Sequence, residues 1–126
     1  MNSENKGLVG LHVYVEISEP WEFETDNGPG ARTALIEEVR DTDIMIKLEK
    51  PIRVKGKLCD VLIASARYEG HSILELMQGG PLSASMTAIS MDNAKKVDPF
   101  ALSSWKTGMG LIGTIYTKRS HRPHTE

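Results

Sequence analysis

Four histidines, His12, His71, His121 and His124, are the first residues to test for chemistry in this 126-residue sequence. His71 stands beside Arg67, Tyr68 and Glu69, just ahead of a helix-start signal. Acid–base catalysis needs such a ring within hydrogen-bond reach of a substrate. His71 with Glu69 or Asp60 would make a small hydrolase or isomerase. A solvated turn histidine is the simpler reading, and no G-x-S-x-G elbow supplies a nucleophile. His121-x-x-His124 offers two metal ligands, short of the four a zinc site takes, and Pro123 keeps a helix from aligning them. Glu24, Asp26, Asn27 and Gly28 lack the register of a calcium loop. Gly28-Pro29-Gly30 lacks the lysine and helix of a phosphate loop. No cofactor motif is present, and an enzyme is the less favoured expectation.

Binding chemistry has more to work with. Trp21 and Phe23 alternate in an acidic segment bounded by Pro20 and by Gly28 and Gly30. Aromatics beside a loop form a binding lip, since tryptophan is enriched at interface hot spots. Their other reading is as a plug closing one barrel end. If Arg67, Tyr68 and His71 emerge at that same end, the five residues form a mixed aromatic and polar pocket. Arg53, Lys55 and Lys57 alternate as one face of a strand, with Lys47 and Lys50 nearby. That stripe suits a single-stranded nucleic acid on an oligonucleotide-binding-like barrel. No aromatics for base stacking are interleaved with it. Lysines that guard a strand edge against pairing with other chains explain it as well.

These residues need a scaffold, and Leu58 to Gly80 is its centre. Leu58 to Ala66 is almost continuously apolar, which predicts a strand covered on both faces. Asp60 interrupts it, either paired inside or facing water. Cys59 reads as a reduced, buried thiol. Ser72 with Glu75 three residues on fits a capping box, and Gly79 fits a left-handed C-cap. A helix over 72–78 follows, too short to stand alone, so it plugs the end of a sheet or barrel.

The flanking segments alternate at period two. Leu11, Val13, Val15 and Ile17 share one face; Ile44, Ile46 and Leu48 another; Leu82, Ala84, Met86 and Ala88 a third; Leu111, Gly113 and Ile115 a fourth. Asp41 to Asp43 predicts a hairpin turn, Gly56 a turn or bulge, and Gly110 and Gly113 a bulge or barrel corner. Asp98-Pro99 predicts a second helical turn over 99–106. The fold class is mainly β: a small antiparallel barrel or strongly curved sheet of about six strands. Residues 1–118 form one domain, and 119–126 read as a disordered tail.

The net charge of −2 hides a split. Residues 1–43 hold ten acids against Lys6, Arg32 and Arg40, a net of −7; residues 44–126 hold seven acids against twelve bases, a net of +5. Opposite charges on adjacent strands account for this, and attraction between copies is the other reading. One cysteine excludes an internal disulfide. With no leader and no long apolar run, the expectation is a cytoplasmic protein without a membrane span. The sequence thus points to a non-enzymatic binding or interaction module for a protein or small ligand, with a homo-oligomer as one arrangement.

Overall fold

A computed structural model of the chain describes residues 7–19, 27–28, 30–40, 42–54, 56–79, 81–91 and 110–117. Trp21, Phe23, Lys55, the segment 99–106 and the tail 119–126 lie outside the described residues. Among the described residues there are six strands: β1 (His12–Glu19), β2 (Arg32–Arg40), β3 (Asp43–Val54), β4 (Lys57–Ala66), β5 (Leu82–Ser90) and β6 (Gly110–Tyr116). A 3-10 helix, Ile73–Gln78, lies between β4 and β5. Each strand pairs antiparallel with the next, and β6 returns to pair with β1, so the barrel is closed. This sequential order differs from the five-stranded Greek key of an oligonucleotide-binding fold.

Alternation decides which side chains fill the barrel. Val13, Val15 and Ile17 of β1, Leu82 to Ala88 of β5 at every second position, and Leu111 and Ile115 of β6 are buried in one core, as their period predicts. The exceptions occur at bulges, where an extra residue resets the alternation. On β2 the register shifts between Ile36 and Glu38. Ile36 is buried, Val39 packs against the core, and Glu37 and Glu38 between them avoid it. On β3, Leu48 to Pro51 have no β4 partner between Lys47, paired with Val61, and Ile52, paired with Cys59, while Leu48 stays in the core opposite Ala34 of β2. Pro51, which cannot donate to a ladder, occupies that irregularity.

β4 is buried on both faces from Cys59 to Ala64. Cys59, Leu62 and Ala64 face the barrel core, while Val61 and Ile63 join Ile89 and half-buried Met45 in a second cluster on the outer wall. Leu58 departs from the continuous apolar run and is exposed. The register shift between Cys59 and Val61 marks Asp60 as the bulged residue.

The helix closes one end of the barrel, as its capping pattern predicts. Leu74 N–H donates to Ser72 Oγ at 3.1 Å, and Ser72 N–H donates to Glu75 Oε2 at 3.1 Å. With only six residues it winds as 3-10, its first and last turns closed by Glu75 N–H to Ser72 O and Gly79 N–H to Leu76 O. Gly79, at φ +107°, ends it in the left-handed region. Ile73 and Leu76 drop into the core beside Leu8.

Gly113 performs a different task. A Cβ on it would lie 2.1 Å from Glu16 O and 2.9 Å from Ile17 Cα. The β1–β6 seam closes at the register shift beside Gly113 only because no side chain stands there.

Candidate functional site

β4 ends at Ala66, and Arg67 N–H extends its ladder by one bond, donating to Ser83 O at 2.9 Å. The chain then turns over Glu69-Gly70, where His71 N–H donates to Tyr68 O at 3.3 Å, and enters the capped helix. Thr42 in the β2–β3 turn forms the facing wall. The result is a concavity of about 470 Å³ lined by Thr42, Ser65 to Glu69, and His71 to Leu74. Arg67, Tyr68 and His71, three of the expected binding residues, therefore share one groove.

Their side chains are arranged in pairs. The Arg67 guanidinium lies 5.0 Å from the centroid of the Tyr68 ring, a cation–π contact that holds both side chains at the rim. Tyr68 is 53% exposed. His71 Nδ1 is 2.9 Å from Glu75 Oε2. Glu75 thus holds the imidazole with the same oxygen that caps the helix. With the proton on Nδ1, the ring offers Nε2 as an acceptor. Among the described residues Glu75 is the side-chain hydrogen-bond partner of His71.

Asp60 is not part of this groove. Its side chain, 12% exposed, pairs with Lys47 Nζ at 2.9 Å on the outer wall. That hydrogen bond, with Glu37 nearby, holds the Lys47 ammonium above its ordinary pKa despite its desolvation. Cys59 is buried, and desolvation, then the adjacent Asp60 charge, push its thiol up to about 11.

A second concavity, of about 540 Å³, crosses the outer wall over β4, β5 and β6. Its floor follows paired residues: Ser65 opposite Ser85, Ser85 opposite Ile112, and Ile112 opposite Glu19. Ile63, Thr87 and Gly110 form the neighbouring row. Ser65 lines both concavities. No isolated strand pattern could reveal this row, because it exists only in the register of four strands. A third concavity on β1 to β3 holds His12, Thr33, Lys47 and Glu49, with Thr33 Oγ1 donating to Glu49.

No protein-family model, curated protein or solved structure matches this chain.

Of the remaining expected site residues, Trp21, Phe23 and Lys55 lie outside the described residues. Three strands separate the β1–β2 connection from the β4–β5 connection, and strand direction reverses at each. The two connections therefore leave opposite barrel ends, and the described part of the first, at Asn27 and Gly28, is at the far end from Arg67 to His71. The basic stripe is also divided. Arg53 is on β3 opposite Leu58, and Lys57 is on β4 opposite Val54, so the two do not share one strand.

At that end β3 runs past its last β2 partner, Leu48 opposite Ala34. Asn27 supplies the missing ladder. Its Oδ1 accepts from Arg53 N–H at 2.6 Å, and its Nδ2 donates to Arg53 O at 2.8 Å. Arg32 in turn donates to Asn27 O at 2.8 Å and Gly28 O at 2.7 Å. Among the described residues no helix is long and apolar enough to cross a membrane.

Proposed function

We propose that this barrel is a binding module whose ligand enters the groove between the β2–β3 turn and the capped helix. The observation that supports it most is the convergence of Arg67, Tyr68 and His71 on one concavity of about 470 Å³. That volume is within the range of small-ligand sites. The groove combines an exposed aromatic ring, a guanidinium, an imidazole and the hydroxyls of Thr42 and Ser65. The ladder of β4 holds its base and the capping box holds its helical wall.

Amide chemical-shift mapping of the labelled chain tests this reading. A panel of nucleotides, organic acids, sugars and amino acids should contain a member that shifts residues 65–74 saturably. The double substitution Arg67→Ala and Tyr68→Ala should abolish those shifts while the rest of the spectrum persists. A panel that leaves 65–74 unmoved counts against the groove. If single-stranded oligonucleotide alone shifts Arg53 and Lys57, and added salt reverses it, the nucleic-acid reading replaces this one.

A further inference from the structure

We infer that the groove and the hydroxyl-lined concavity form one extended site for a neutral, linear oligosaccharide. This rests on the binding-module reading and names its ligand class. Ser65 lines both concavities, and Thr42 of one precedes Asp43 of the other. The path runs from Tyr68 across β4, β5 and β6 to Glu19. From Ser65 to Glu19 it crosses three strand spacings, about 14 Å.

The chemistry along the path selects the ligand. The polar side chains over β4 and β5 are hydroxyls: Ser65, Ser85 and Thr87. A hydroxyl both donates and accepts, as sugar hydroxyls do. The charges at the margins are mixed. Glu19, Asp43 and Glu69 disfavour a polyanion such as a nucleic acid, and Arg67 at the rim disfavours a polycation. A neutral polyol accepts from the guanidinium and donates to the carboxylates, so it meets no like charge anywhere. Beside the hydroxyls, half-buried Ile112 offers apolar surface to the C–H face of a sugar ring, and Tyr68 offers an exposed aromatic one.

Gly110 provides the test. A Cβ there would meet nothing within 4 Å, and its φ is not in the left-handed region. Gly110→Leu therefore places a side chain in the groove with little demand on the backbone. Neutral tetrasaccharides of glucan, xylan, mannan and chitin type are titrated into the labelled chain to about 10 mM. One of them is expected to shift residues 65, 85, 87 and 110 together with 67–71. Gly110→Leu should weaken that binding at least tenfold while the dispersed spectrum is retained. Ser85→Val, a second route, should weaken it severalfold. If spermine or tripolyphosphate shifts these residues and no tetrasaccharide does, the module stands and the neutral-ligand inference is overturned. If a tetrasaccharide shifts 65–74 alone, with 85, 87 and 110 unmoved, the extended site is overturned. If no tetrasaccharide shifts either concavity while a nucleotide, organic acid or amino acid shifts 65–74, only the oligosaccharide inference falls; if none of these probes shifts either concavity, both readings fall.

Discussion

Glu75 does two things with one carboxylate: it satisfies the N–H of Ser72 and it positions the ring of His71. At the residue scale this couples the groove to the stability of its wall. Cys59 is the opposite case, a reactive group made inert by its surroundings. Its thiol, raised from an ordinary 9.0 to about 11, is protonated at neutral pH. In the native state it should resist a disulfide reagent at about pH 8 and label only on unfolding, because the thiolate is the nucleophile. Stability follows the same linkage. Between pH 9.0 and about 11 the unfolded chain releases a proton that the folded chain retains, so stability falls as pH rises through that window. The Lys47–Asp60 contribution has the same sign, since Lys47 is also raised: it is fully present below 10.5 and is lost above. Urea midpoints should hold level up to about pH 9 and then decline, and Cys59→Ala should flatten the decline.

At the scale of elements, two short features hold most of the geometry. Ser72→Ala removes the acceptor for Leu74 N–H and should cost about 1 kcal/mol. Because the helix forms one wall of the groove, amide exchange should rise first across residues 72–78. Gly113→Ala is far more severe. The added methyl meets backbone at Glu16 and Ile17, which cannot step aside as a side chain would. A loss of about 3 kcal/mol or more is expected, read as a lower urea midpoint with exchange concentrated at the β1–β6 seam.

The same elements show what the sequence could reveal. The capped helix was legible because its signals are local: Ser72, Glu75 and Gly79 lie within eight residues. The doubly buried β4 was legible from unbroken apolar character. The register shifts at Glu37, Asp60 and Leu48 to Pro51 were not, because each depends on a partner strand's register. The pairing of His71 with Glu75 was missed in favour of Glu69 or Asp60, because His71 stands just ahead of the N-cap Ser72, outside the helix. The row Ser65, Ser85, Ile112 and Glu19 was not, since its members come from four strands. That the β1–β2 and β4–β5 connections leave opposite ends was not legible either, since it depends on the odd number of antiparallel strands between them.

At the scale of the whole molecule, the closed sheet shares one core, in which residues from all six strands and the helix touch a common cluster. Thermal unfolding should accordingly be a single transition, with far-ultraviolet circular dichroism and the amide signals of β1, β4 and β6 vanishing at one midpoint. An early loss confined to β6 would show that the seam is a separate unit. Folding should be slow for a chain of this size, because closing the barrel joins positions such as Glu16 and Tyr116, 100 residues apart, where Tyr116 Oη donates to Glu16 at 2.7 Å.

That pairing of β1 with β6 sets an order on biosynthesis. While the ribosome is still adding residues before Gly110, β1 and β5 have no neighbour on their outer sides, and both carry open backbone edges. Such edges are templates for pairing with other chains. The barrel can close only after Tyr116 has left the exit tunnel. For most of its translation the nascent chain is therefore a sheet with two exposed rims, and a chaperone that shields strand edges would serve it best in that interval.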